Sequence, residues 1–305
     1  KNDAEAWARK TERQIDSGDL MVDRSLLRDT TVRDLFIRYR DSVTPSKRCS
    51  TMETYLIGLF LSHPIADQLL CNLTPYIVAQ YRDYRLQQVT SGTVRREFSV
   101  LHHCFEVARK EWGFPFPANP IGQVTMPSAS KPRDRRPTSE ELERLLEGCH
   151  RGRSTLLAPV IRFAIETGMR RGEIVGMRWL DIDFENHTLL IPITKNGHAR
   201  TIPLTPAAVD IINNLAKSSE LVFPVTGNAI RLAWVRLKRR VGIEDLRFHD
   251  LRHEAISRFF EMGLTVPEVA LISGHRDARM LFRYTHLKAD KVAIKLRQPL
   301  PLRCY

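Results

Sequence analysis

Between residues 112 and 137 the sequence loses the patterns that a packed core requires. Residues 112–127 are rich in Pro and Gly, and residues 128–137 (Ser-Ala-Ser-Lys-Pro-Arg-Asp-Arg-Arg-Pro) are polar and basic. A stretch with no apolar periodicity cannot bury itself, so it reads as a linker between separately folding parts. The chain's 305 residues also exceed what one hydrophobic core usually serves. The expected organisation is a helical lead-in over 1–28, a first domain over 29–127, a basic linker over 128–137 and a second domain over 138–305.

Apolar residues ahead of the break recur at three- and four-residue spacing, as in Val94, Phe98, Leu101, Phe105 and Ala108, which makes one buried helix face. The expected helices and N-caps are 32–39 (Thr31), 52–61 (Thr51), 76–86 (Thr74) and 94–110 (Thr93), with a further polar helix over 3–15. Beyond the break, a helix capped at Thr138 or Ser139 carries Glu140, Glu141 and Glu143 near its N-terminal dipole. Another runs over 156–166 and stops at Thr167-Gly168. Two strand-like runs, 189–193 and 199–204, flank Lys195-Asn196-Gly197-His198, a strong hairpin signal. Helices are expected over 206–216, 229–239, 249–261, 266–272, 278–284 and 290–296. The fold class is mainly α with a small antiparallel β-sheet: a helical domain followed by an α+β domain.

Charge narrows the partner. Forty-seven Lys+Arg against thirty-five Asp+Glu leave a formal +12, which suits a polyanion, either nucleic acid or an acidic membrane surface. The best apolar run, 156–165, is interrupted by Arg162 and falls far short of the ~20 residues that span a bilayer, so no membrane partner is expected. The first residues have no apolar signal core and no initiator Met, which reads as a piece of a longer chain. Five cysteines (49, 71, 104, 149, 304) form no C-x-x-C pair, which suggests free thiols in a reducing cytoplasm.

Four separated segments carry chemistry. Thr167-Gly168-Met169-Arg170-Arg171-Gly172-Glu173 throws an arginine out at a helix stop. Lys195 stands at the lip of the hairpin turn. In His249-Asp250-Leu251-Arg252-His253, positions 249 and 252 share a helix face. Gly274-His275 is followed by Arg283-Tyr284-Thr285-His286, with His286 a second histidine candidate. Each alone has an ordinary reading as a cap, a solvated charge or a structural histidine. Together they hold two guanidinium forks matched to phosphate oxygens, proton-moving groups, and a phenol whose ordinary pKa of about 10 requires nearby activation. That inventory describes phosphoryl transfer with fixed cations in place of magnesium, so no metal or other cofactor is expected. Asp181, Asp183 and Glu185, the nearest carboxylate cluster, read as an exposed turn, and there is no G-x-x-x-x-G-K-[ST] phosphate loop.

This ordered set resembles the tyrosine recombinase (phage integrase) family, whose R…K…H-x-x-R…H…Y signature is met by Arg170, Lys195, His249, Arg252, His275 and Tyr284. The resemblance covers about 29–290 and is strongest from Thr167 onward. The residues around His-Asp-Leu-Arg-His look most like shufflon-type DNA invertases and phage or genomic-island integrases. It implies that Tyr284 attacks the scissile phosphate to form a 3′-phosphotyrosyl link, and that Arg170 and Arg252 clamp the phosphate. Lys195 would protonate the leaving 5′ oxygen, His249 would accept the tyrosine proton, and His275 would bond a non-bridging oxygen.

The resemblance further implies a helical core-binding domain that closes with the catalytic domain into a C-shaped clamp on double-stranded DNA. It also implies a specific recombination site, a homo-tetramer in the synaptic complex, accessory or directionality proteins, and a last helix near 290–296 that docks on a neighbouring protomer. Residues 1–28 would follow an arm-site DNA-binding domain absent from this chain. Candidate DNA contacts are Arg95, Arg96, Arg109, Lys110, Lys131, Arg133, Arg231, Arg236, Lys238, Arg239 and Arg240. A non-catalytic DNA-binding regulator on the same scaffold and a type IB topoisomerase are the competing readings.

Overall fold

The computed structural model describes residues 3–5, 8, 9, 12, 25–129, 133–192 and 199–285. The chain separates into two compact units, 1–132 and 133–305, dividing within the basic stretch. The 3–15 and 290–296 helices and the 196–197 turn lie wholly or mostly outside the described residues, as do Lys131, Lys195 and His286.

The N-terminal unit is helical: α1 (Ser25–Asp29), α2 (Val32–Ser42), α3 (Ser50–Leu61), α4 (Pro75–Leu86) and α5 (Ser91–Glu111). The expected α5 face is the buried one, with Val94, Phe98, Leu101, Phe105 and Ala108 packed against Phe36, Phe60 and Tyr81. Thr31 closes a capping box with Asp34, and the Thr74 hydroxyl accepts from the Ile77 N–H. Two expected caps move. The helix assigned to Thr51 begins earlier, at Ser50 after Cys49, and Thr93 lies inside α5, whose N-cap is Thr90. Thr90-Ser91-Gly92-Thr93 offers several capping hydroxyls, and packing of Val94 and Phe98 allows one more turn than the sequence pattern marks.

In the C-terminal unit α6 (Ser139–His150) starts at a Thr138–Glu141 capping box, and α7 (Leu157–Thr167) ends at Gly168. After α8 (Arg171–Val175), strands β1 (Ile182–Asp183), β2 (Thr188–Ile191) and β3 (Arg200–Pro203) form an antiparallel sheet in the order β1-β2-β3. Leu189 pairs with Ile202 and Ile191 with Arg200, so strand alternation turns Arg200 and Ile202 to the same, inward side. Helices α9 (Pro206–Asn213), α10 (Gly227–Val241), α11 (Asp250–Glu261) and α12 (Val266–Ser273) follow. α9 is shorter and α10 longer than expected. The expected helix over 278–284 is instead two 3-10 turns, Ala278–Met280 and Phe282–Tyr284. In 3-10 geometry residues three apart eclipse, which puts Leu281 and Tyr284 together on the α11 side, both buried. Of the three carboxylates expected on an exposed turn, Asp183 and Glu185 are exposed and Asp183 accepts from the Glu185 and Asn186 N–H groups, but Asp181 is buried and accepts a fork from Arg178.

Candidate active site

Two left-handed glycines build the floor of the site. Gly168 (φ 61°) ends α7 and Gly274 (φ 68°) ends α12, a conformation that a side chain would strain. A Cβ at Gly274 would also stand 3.0 Å from the Arg200 guanidinium. At these two helix ends the Gly168 and Ser273 carbonyls point at one residue: Arg252 Nη1 donates to the first and Nη2 to the second. Helix C-termini carry partial negative charge, so they hold a cation without neutralising it. Arg252 is 3% exposed and has no carboxylate partner among the described residues. Burial, then the Arg170 charge, pulls its pKa down to about 9, so it remains protonated at neutral pH.

Arg170 occupies the N-cap position of α8. Its Nη1 donates to Glu173 Oε1 at 2.9 Å, and its backbone N–H donates to Oε2 at 3.0 Å. Glu173 also accepts a fork from Arg200 at 3.1 and 2.9 Å. Burial alone would raise the Glu173 pKa, but the Arg200 fork and the Arg170 contacts hold it at about 2. Two guanidiniums, Arg170 and Arg200, therefore share one carboxylate while Arg252 has none, and the cluster keeps surplus positive charge.

The histidines and the tyrosine join this cluster. The Ser273 hydroxyl and His275 Nδ1 are 2.7 Å apart. Burial first, then Arg252, Arg170, Arg283 and His249, lowers the His275 pKa to about 4. Solvent reaches His249, yet protein crowds it, and burial followed by the Arg252 charge lowers its pKa as well. Tyr284 is 5% exposed, and its hydroxyl is bonded to His253 Nδ1 and to Arg283 Nη2, the latter at 2.6 Å. Burial raises the phenol's pKa, opposed by the Arg283 hydrogen bond and the Arg283 and Arg252 charges. His249, the expected proton acceptor, does not touch the phenol. Its ring stands edge-on to His253, centroids 5.2 Å apart. The site thus gathers Arg170, His249, Arg252, His275 and Tyr284, and adds Glu173, Arg200, His253 and Arg283. His253 and Arg283 lay inside motifs already in view, four residues from His249 and next to Tyr284.

The linker arginines are committed to α11. Arg133 makes a forked contact to the buried Asp250 (Nε to Oδ1 2.9 Å, Nη2 to Oδ2 2.8 Å) and pairs with Asp245 at 3.0 Å. Arg136 bridges Glu254 (2.8 Å) and Glu261 (2.6 Å). Arg133 is therefore a brace at the start of the helix that carries Arg252, and its donors are not free for phosphate. Other candidates differ in how far they are occupied. Arg109 and Lys110 pair with Glu106, Arg95 donates to the Pro127 carbonyl, and Arg240 donates to the Gly148 carbonyl. Lys238 donates to the Glu244 carbonyl, and Arg231 to Asn228. Arg96, Arg236 and Arg239 are exposed. A cavity of about 440 Å³, lined by Arg171, Arg231, Lys238 and Arg247, opens at His249.

Among the described residues no helix is long and apolar enough to cross a membrane. Residues 135–291 match the Phage integrase family. Over 269 residues the chain is 41% identical to a shufflon-specific DNA recombinase of Escherichia coli, covering 85% of this chain and 70% of that protein. Its structure is similar to the Tn1549 transposon integrase in complex with circular intermediate DNA (TM-score 0.74, 15% identity, 88% of this chain and 100% of that one). It is also similar to a lambda integrase tetramer bound to a Holliday junction (TM-score 0.70, 18% identity, 82% and 78%). The chain belongs to the phage integrase family of tyrosine recombinases.

Proposed function

We propose that this protein is a site-specific DNA recombinase that cleaves and rejoins double-stranded DNA through a 3′-phosphotyrosyl intermediate. The observation that carries the reading is a buried tyrosine beside a guanidinium cluster with too few carboxylates to neutralise it. Fixed positive charge with no anion of its own suits the charge that develops on a phosphate in attack. Tyr284 Oη attacks phosphorus and gives its proton to a histidine, and the P–O5′ bond breaks as the leaving oxygen takes a proton from Lys195. Arg170 and Arg252 hold the non-bridging oxygens, with His275 as a further donor. The phosphodiester is exchanged for a phosphotyrosyl ester of similar energy, so religation needs no ATP.

The basic surfaces of each unit, among them Arg96 on α5 and Arg236 and Arg239 on α10, would follow the phosphate backbone, with affinity falling as salt rises. Family likeness further supports a tetramer on two duplexes, acting in a bacterial or phage-infected cytoplasm with accessory proteins. Inversion, integration and excision share this chemistry.

The test is covalent capture from a randomised pool of nicked DNA duplexes, followed by sequencing of what is captured. Wild type should yield one duplex family joined to Tyr284, and Tyr284→Phe should yield none. An adduct that survives Tyr284→Phe refutes the nucleophile. Sequence-specific binding without any adduct identifies a DNA-binding regulator instead, and relaxation of plasmids that lack the captured sequence identifies a topoisomerase.

A further inference from the structure

The proton that Tyr284 must lose has one destination on view. A phenol carries a single hydrogen, and among the described residues its oxygen has two side-chain partners, His253 and Arg283. Arg283 offers only N–H groups, so it occupies a lone pair of the phenol. The hydroxyl hydrogen then falls to His253 Nδ1, which accepts it as the bare nitrogen of a neutral ring carrying its own hydrogen on Nε2. Both rings are held. Tyr284 and His253 are 5% and 6% exposed, and they stack with centroids 5.5 Å apart at 27°. The Arg283 guanidinium lies 4.8 Å from the tyrosine ring centre. His249 meets His253 edge-on at 82° and makes no hydrogen bond to the phenol.

We propose that His253 is the general base of strand cleavage, its Nδ1 taking the Tyr284 proton while Arg283 steadies the charge growing on the phenolic oxygen. The inference rests on the reading of Tyr284 as nucleophile. In the step, the O–H bond of Tyr284 breaks and its proton becomes the Nδ1–H of an imidazolium. The oxygen's electron pair forms the new O–P bond. The P–O5′ bond breaks onto the 5′ oxygen, which is protonated by the Lys195 ammonium. Religation reverses each transfer, His253 returning its proton to the departing Tyr284 oxygen.

The groups facing His253 are His249 at the N-cap of its helix, Asp250 and Arg252 within it, and Arg283 and Tyr284 from the last turn. Burial first, then His249 and Arg283, lowers its pKa to about 4, with Asp250 acting in the opposite sense. The resting ring is therefore neutral, as an acceptor must be. A phosphodiester entering the cluster brings negative charge and raises the ring's proton affinity as the step begins.

The experiment is single-turnover cleavage of the captured duplex across pH. His253→Asn leaves a hydrogen-bond acceptor but nothing that takes up a proton. Its cleavage should fall by about 10²–10⁴-fold with DNA affinity retained. Its rate should climb with hydroxide toward the phenol's range instead of levelling off. A fluorinated, more acidic tyrosine at position 284 should recover more of the rate in His253→Asn than in the unaltered chain. His249→Gln should gain nothing from that tyrosine. A His253→Asn chain that cleaves near the unaltered rate overturns the proposal, as does the acidic-tyrosine rescue appearing in His249→Gln instead. If His253→Asn does not fold, the acid limb of the unaltered chain is compared with the His253 titration in the DNA complex by NMR, and a mismatch overturns it. An adduct formed by Tyr284→Phe would instead sink the nucleophile itself, which is a separate failure.

Discussion

Arg85 and Arg252 are both buried arginines, 6% and 3% exposed, with opposite fates. In the N-terminal unit Arg85 forks onto the buried Glu97, Nε to Oε2 at 2.9 Å and Nη2 to Oε1 at 2.8 Å, and its pKa rises first because of those bonds. In the C-terminal unit Arg252 has two helix-end carbonyls, and its pKa falls to about 9, first because of burial. Arg85 is paired within the fold and leaves no charge over. Arg252 is held by dipoles, and its full charge stays available to an anion from outside. A buried charge that the fold declines to neutralise marks a binding position, whereas a neutralised one marks scaffold.

That contrast can be broken by substitution. Arg252→Met should slow strand cleavage by about 10³-fold, read in single-turnover assays, and Arg252→Lys by about 10²-fold, because an ammonium keeps the charge but loses the fork. Arg85→Met should leave cleavage by the folded protein unchanged but strand Glu97 as an unpaired buried carboxylate. The expected cost is about 3–5 kcal/mol in urea unfolding of the N-terminal unit. Adding Glu97→Leu should return most of that loss. If the double variant is no more stable than Arg85→Met, the pair is not the sealed unit described here.

Acid should find the two kinds of charge as well. His253 and His275 have folded pKa values of about 4, below the ordinary 6.5, so both are neutral in the fold. The stability they contribute is complete above 6.5 and lost as pH falls toward 4. Glu173, at about 2 against an ordinary 4.5, contributes above 4.5 and loses that contribution between 4.5 and 2. Thermal melts across pH should show a second acid-side decline below 4.5 that Glu173→Gln removes. NMR titration should place His253 and His275 near 4 and move both upward when sulfate is added, but not in Arg252→Met. Away from the site effects should be small. Thr138→Ala, which removes one capping-box hydroxyl, should cost about 1 kcal/mol in the same melts.

Much of this was legible in the sequence. The α5 stripe, the glycine stop at 168 and the Thr138 cap each depend on contacts within a few residues, so local spacing exposes them. The His-x-x-Arg pattern singles out positions 249 and 252 and leaves His253 unmarked, although the residue four along from His249 points the same way. The 278–284 segment reads as helix by composition, but burying Leu281 and Tyr284 side by side favours two 3-10 turns. Arg133 reads as a phosphate ligand in the sequence because nothing in the basic stretch around it signals that Asp250 lies across from it.

The order and kind of the site residues, the two-part organisation and the excess of positive charge were set by the sequence alone, because spacing and side-chain chemistry are written along the chain. Which guanidinium is neutralised, which histidine meets the phenol and which arginines are spent on bracing α11 were decided only by the tertiary structure. Those outcomes turn on distances between groups as many as 125 residues apart, and an electrostatic partner so remote leaves no trace in local periodicity.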